Sequence, residues 1–364
     1  MSIPPTFDPS VPHVVTLGTA GGPRWWQGPA AGRRSGIATA VVVEGKVYLV
    51  DCGEGVGTKL VLAGLDIADV RSIFITHLHS DHTIDLPNLV VWGTLALAAQ
   101  RERQAPIQLV GPGDRGMLPP VSAHVKGIAP TPVGGSAPTP GVRGTLERIV
   151  DAYATDLNDR IFDTLRPSPL EWFQPREIVI PDGLDYHPND NPSPDMAPIE
   201  VYRDDLVTVT AVLVQHQPMA PAFAFRFETA QGSVTISGDT APCDNLVRLA
   251  RGTDLLLHEA IDLTGIADRY QGEDPAAVEA GMEHHRKAHT TPEQAGTVAA
   301  SAGARALALH HLVPSTASPD VWNGARKTFD GQFLVPFDLD TIPFGDPRIE
   351  SSQPGELATA TSSL

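Results

Sequence analysis

Arg71-Ser72-Ile73-Phe74-Ile75-Thr76 runs directly into His77-Leu78-His79-Ser80-Asp81-His82, and this junction decides how the rest of the chain is read. The first six residues, β-branched and aromatic, have the pattern of a short buried strand. Thr83 to Gln100, beyond the junction, is a largely apolar stretch of helical length. Four good metal ligands therefore lie where a strand gives way to a helix. In extended backbone His77 and His79 project to the same side, because strand side chains alternate. Once the chain turns, Asp81 and His82 can reach the same volume from a second direction. Imidazole with carboxylate suits zinc and similar divalent cations, and ligands so closely spaced seldom occur outside metal sites. A polar loop in a chain holding 13 His is the weaker reading.

With 364 residues, 41% of them hydrophobic, the chain has ample core for one large domain. No run approaches the apolar length of a membrane span. Met1 to Phe7 shows neither a basic flank nor an apolar signal core, so the expected location is cytoplasmic. Cys52 and Cys243 are too few for a disulfide framework and read as small buried thiols. The formal net charge is −17, which repels phosphate backbones at long range, and no lysine-rich stretch offers a local basic patch. On that ground nucleic acid and membrane are not expected partners, and a homodimer stays open.

Working outward, His13 to Gly18 reads as a strand, followed by a glycine-rich loop and then Arg24, Trp25 and Trp26. These three are candidates for substrate contact, with loop packing as the alternative for the two tryptophans. Ile37 to Glu44 and Lys46 to Asp51 form a hairpin turning at Gly45. Asp51 at its end could orient a metal ligand from behind or simply cap a turn. Ile107 to Gly111 reads as a strand. Residues of about 115–200 are rich in proline and read as an irregular insertion with one amphipathic helix, Thr145 to Leu165. Strands resume at Leu206 to Val214, Ala222 to Glu228, Ser233 to Gly238, Asp254 to Leu257 and Arg305 to Leu309. An acidic loop leads to His284, His285 and His289, and these first two read as solvent-facing. Thr291, Pro292 and Gln294 signal a helix start. The 351–364 tail reads as disordered. Strand after strand ends in a potential ligand: Asp51, His77, His216, Asp239, His258, His311. In α/β folds such residues gather at one edge of the sheets.

These residues resemble a known family. The His77-to-His82 loop, His216, Gly238-Asp239-Thr240 and His311 look like the metal motifs of the metallo-β-lactamase superfamily. Ser237-Gly238-Asp239-Thr240-Ala241-Pro242-Cys243 is similar to the aspartate motif of its ribonuclease Z and arylsulfatase-like branch. His258-Glu259-Ala260 matches that branch's His-Glu-Ala-Thr motif with Ile261 in place of Thr. His289-Thr290-Thr291 resembles its His-Ser-Thr motif with Thr290 in place of Ser. The resemblance spans roughly residues 13–345. It implies an α/β fold of αββα layers, with two sheets face to face and helices outside, as one domain over 1–350. It implies that His77, His79 and His216 hold one divalent metal, and Asp81, His82 and His311 a second, with Asp239 bridging. His310 falls where the family has Thr or Ser, so His311 is the ligand.

The implied activity is that of a hydrolase with two divalent ions, zinc by preference, whose bridging hydroxide attacks an ester. Asp81 would orient the nucleophile, and Glu259 with His289 would pass a proton to the leaving group. The acidic surface and the acids at Asp182, Asp185, Asp190 and Asp195 favour a small ester: an aryl sulfate, a phosphodiester, or a carboxylic ester or lactone. The alternatives are a transfer-RNA 3′-processing endonuclease of the ribonuclease Z type, and a mononuclear iron sulfur dioxygenase. A full seven-ligand set argues against the last.

Overall fold

Ala38-Thr39-Ala40-Val41-Val42-Val43 is buried at every position, and its two faces serve two different cores. Val41 and Val43 point to one cluster, while Ala38, Ala40 and Val42 point to another, as period-two alternation requires. The same split divides Tyr48 and Val50 from Val47 and Leu49 in the next strand. A strand covered on both faces belongs inside a layered structure. The computed structural model describes residues 10–23, 32–99, 105–123, 125, 127, 130–270 and 272–345.

The first sheet takes β1 (His13–Gly18), β2 (Ala38–Val43), β3 (Lys46–Val50), β4 (Val70–Phe74), β5 (Ile107–Pro112) and β6 (Phe173–Ile178). The second takes β7 (Ile199–Arg203), β8 (Thr208–Leu213), β9 (Phe223–Glu228), β10 (Ser233–Ile236), β11 (Leu255–Ile261), β12 (Ala306–Val313) and β13 (Gln332–Leu334). Finally β14 (Thr341–Pro343) returns to pair with β1. Each sheet therefore has seven strands, in the orders β14-β1-β2-β3-β4-β5-β6 and β13-β12-β11-β10-β9-β8-β7. In both, an antiparallel part gives way to a parallel one, from β3 onward and from β10 onward. The expected α/β sandwich of two β-rich halves is the architecture found.

The seam between the sheets is aromatic. Phe74 of β4 lies 5.6 Å from Tyr202, 5.4 Å from Phe225 and 5.1 Å from Phe227, measured between ring centroids. Offset and edge-on contacts of this kind suit the ring quadrupoles. On the outer face of the first sheet, the helix Leu86–Ala98 buries Leu86, Leu89, Val90 and Leu97 against the cluster containing Leu49 and Ile73. Pairing β4 against β3 and β5 sets the end of β4, and with it His77, at the middle of the first sheet.

Three expectations need correction. The proline-rich segment is not irregular throughout, because Phe173–Ile178 pairs in parallel with β5 and forms the edge of the first sheet. The single helix expected over Thr145 to Leu165 is two, Val142–Ala152 and Ala154–Asp163, meeting at Tyr153 with φ −102° and ψ 12°. The acidic stretch before His284 is helical as Leu263–Arg269 and Pro275–Ala288. The tail 351–364 lies outside the described residues. Among those described, no helix is long and apolar enough to cross a membrane.

Candidate metal centre

β4 ends at Phe74, and the next eight residues carry four ligand-type side chains into the gap between the sheets. His79 is extended and caps the short helix Ser80–Thr83, which turns Asp81 and His82 back toward His77. From the second sheet come His216 after β8, Asp239 after β10 and His311 near the end of β12. His311 adopts φ 47° and Asp51 φ 61°, positions an L-residue holds only when its surroundings impose them. Two glycines make room. Gly238 sits at φ 58°, and a Cβ there would meet the Phe223 carbonyl oxygen at 2.7 Å. A Cβ on Gly21 would stand 2.2 Å from the His311 ring.

Two groups of facing donors result. His77, His79, His216 and Asp239 form one, and Asp81, His82, Asp239 and His311 the other. In the first, His79 Nδ1 stands 3.0 Å from both His77 Nε2 and His216 Nε2. In the second, His82 Nε2 stands 3.2 Å from His311 Nε2 and 3.3 Å from Asp239 Oδ2. The outward nitrogens are already engaged. His216 Nδ1–H donates to the Ala288 carbonyl at 2.8 Å, and His82 Nδ1–H to Asp51 Oδ2 at 2.8 Å. With those protons committed, Nε2 of each ring turns a lone pair inward, and lone pairs at such distances repel unless a cation lies between them. Asp239 Oδ1 is buried and has no hydrogen-bond partner. Seven donors so disposed fit two divalent ions.

Electrostatics agree with that fit. Burial, reinforced by neighbouring imidazoles, holds His77 and His216 well below the ordinary histidine range, so both are neutral donors. Burial lowers His79 to about 4. His82 behaves oppositely: burial would lower it, but Asp239, Asp51 and Asp81 outweigh burial and raise it well above the usual value, so its Nε2 holds a proton in the cation's place until an ion displaces it.

Beside the donors stands a pair of proton-carrying groups. His289 Nδ1–H donates to Glu259 Oε1 at 3.0 Å, and the Thr240 N–H donates to the same oxygen at 3.0 Å. Burial opposes charge on His289, but Glu259, then Asp239 and Asp81, raise it to about 9. A cavity of 470 Å³ opens over His79, Asp81, Asp239, His289 and His311.

His258 was expected at a strand end with the ligands. Because β11 continues to Ile261, it lies within the strand, fully buried, with Nδ1 donating to the Glu259 carbonyl at 2.8 Å. His310 is buried 3.5 Å from Thr39 Oγ1 and joins neither donor group. Arg24, Trp25 and Trp26 lie outside the described residues, although Gly22 and Pro23 line the cavity. His284 and His285 are not solvent-facing loop residues. They belong to the helix Pro275–Ala288 and line the cavity with His289. The visible signal was Asp274-Pro275, since the Asp274 side chain accepts from Ala276 N–H and Ala277 N–H as an N-cap.

The profile of the metallo-beta-lactamase superfamily matches residues 31–278. The chain belongs to that superfamily. It is 30% identical over 290 residues to a ribonuclease Z of Mycobacterium sp. (strain KMS), covering 78% of this chain and 80% of the relative. A ribonuclease Z of Mycobacterium marinum is 27% identical over 317 residues, covering 85% of this chain and 92% of that protein. These relatives place the chain in the ribonuclease Z branch. Human tRNase Z, short form, shares the fold with a TM-score of 0.57 at 22% identity, over 91% of this chain and 99% of that one.

Relatives named as ribonucleases overturn the expectation of a small-ester substrate with nucleic acid an unexpected partner, and favour the ribonuclease alternative. The charge argument failed because −17 sums every charged residue of the chain, buried ones included, whereas encounter is governed by the local field. Asp51 and Asp239 are buried at the donor groups, where cations, when bound, would offset them. Of the acids in the proline-rich segment, Asp195 pairs with Arg248, and Asp190 lies 2.9 Å from His187.

Proposed function

We propose that the chain is a metal-dependent endoribonuclease that cleaves transfer-RNA precursors at the 3′ side, the activity that its resemblance to the ribonuclease Z branch implies. The observation that carries this reading is the 30% identity over four-fifths of a ribonuclease Z. The intact donor set and the Glu259–His289 pair support it.

In this reading His77, His79, His216 and Asp239 hold one divalent ion, and Asp81, His82, His311 and Asp239 the other. Zinc suits a donor set of imidazoles and carboxylates. Two such ions, when bound, supply Lewis acidity and lower the pKa of water at the site. The chain's own residues then do four things. Asp51 fixes the His82 ring through Nδ1–H. Asp81, whose Oδ2 accepts from the Gly22 N–H at 2.8 Å, presents a carboxylate at the cavity floor to orient the attacking water. Glu259 holds His289 by Nδ1–H, which leaves Nε2 to give a proton to the departing oxygen. The Thr240 N–H on Glu259 ties this pair to the segment that carries Asp239.

The test is a transfer-RNA precursor with a 3′ trailer, incubated with zinc-loaded protein, its products mapped to the nucleotide. A discrete cut at the trailer junction is expected. Intact RNA under conditions where bis-p-nitrophenyl phosphate is hydrolysed would contradict the assignment.

A further inference from the structure

The wall of the cavity opposite Gly22 and Pro23 is built by the helices Leu263–Arg269 and Pro275–Ala288, and it carries histidines that the two donor groups do not use. His285 lies in the last turn of the second helix with His284 just before it, and His289 is its C-cap residue. His285 and His289 are four apart, the spacing that brings two side chains together on one side of a helix. The three imidazoles offer nitrogens within 4.8 Å of one another. Their ring centroids are 5.4, 6.0 and 5.9 Å apart, against 4.8, 4.5 and 4.9 Å for His77, His79 and His216.

Two of the three rings are also held as metal-ligating imidazoles are, with one nitrogen engaged and the other spare. Glu259 takes His289 Nδ1–H. The Tyr270 hydroxyl stands 3.2 Å from His285 Nε2, while His285 Nδ1 is buried with no hydrogen-bond partner. Arg269 and Glu273, which also line the cavity, oppose each other in charge, so the spare imidazole nitrogens decide the occupant, and lone pairs of that kind take a metal cation.

We infer that His284, His285 and His289 form a third divalent-cation site, whose occupation draws His289 away from the leaving group and silences the enzyme when metal is in excess. The silencing rests on the reading of His289 as proton donor; the site itself does not. Wider ring spacing than in the first donor group makes this the weaker of the sites, filled only after the other two.

The experiment starts from protein loaded with two zinc ions and titrates further zinc by equilibrium dialysis, with hydrolysis of diphenyl phosphate, whose poorer leaving group needs a proton, followed in parallel. Wild type should take up a third zinc, and activity should fall as it does so. His284→Ala should stop at two zinc ions and stay active at high zinc, with its helix content checked by circular dichroism. Tyr270→Phe, which leaves all three imidazoles in place, should weaken the third binding event without removing the first two. A wild type that never exceeds two zinc ions overturns the site, as does a third zinc indifferent to His284→Ala. Loss of the third zinc with inhibition unchanged overturns the silencing. Because the zinc count needs no RNA, it stands or falls apart from the transfer-RNA assignment.

Discussion

The two donor groups share Asp239 and differ in what stands behind their histidines. In the first, His216 leans on a backbone carbonyl, and His77 Nδ1 lies 3.1 Å from Thr76 Oγ1. That hydroxyl donates to Asp51 at 2.9 Å, so it accepts from His77. These are neutral supports for neutral rings. In the second, His82 leans on the Asp51 carboxylate, and Asp81 adds another charge 3.2 Å from His311 Nε2. The first group is thus set by orientation of lone pairs, while the second concentrates negative charge that a cation must offset. One shared carboxylate joins two differently built halves.

Removing the shared member should have the largest effect. Asp239→Ala takes a donor from both groups, so elemental analysis should show loss of metal from both and activity should vanish. Retention of one full ion would mean that Asp239 serves a single group.

The next effect separates chemistry from metal binding. Glu259→Gln and His289→Ala should each lower kcat by about 10²–10⁴, the usual contribution of general acid catalysis, with the two structural ions retained. Since the pair acts as one relay, the double variant should fall little further than either single one. If His289→Ala loses an ion from either donor group, His289 is a ligand rather than a proton donor.

A smaller effect should sharpen the contrast between supports. Asp51→Asn removes the charge behind His82 and keeps the shape. It should weaken metal affinity of the second group by about 10–100-fold, as loss of such a support typically does. The first group should keep its ion, and competition with a chelator can count the two separately. Equal weakening of both would show that Asp51 acts through the field of the whole centre.

The same contrast explains what could be read from the sequence. Four donors of the centre fall within six residues, so local periodicity exposed His77, His79, Asp81 and His82 before any fold was known. His216, Asp239 and His311 come from separate strands, and became legible only through the pattern of strand ends and the family resemblance. β6 escaped because it is an edge strand that alternates weakly, with Pro175 inside it and only Phe173 and Ile178 of its six residues buried. The break at Tyr153 was hidden because Leu146 and Ile149 in one helix and Leu157 in the next keep a continuous apolar stripe. His284 and His285 were lost to an acidic stretch read as loop, although Asp274-Pro275 marked the helix. Substrate class failed for another reason: net charge sums every charged residue of the chain and does not describe the field at the mouth of one cavity.

The central claim, a pair of differently built ion sites sharing Asp239, is tested most directly by metal content after dialysis against zinc-free buffer. Wild type should hold two zinc ions per chain, and His311→Ala, which touches only the second group, should hold one. A wild-type value near zero, or a His311→Ala value unchanged from wild type, would contradict the account.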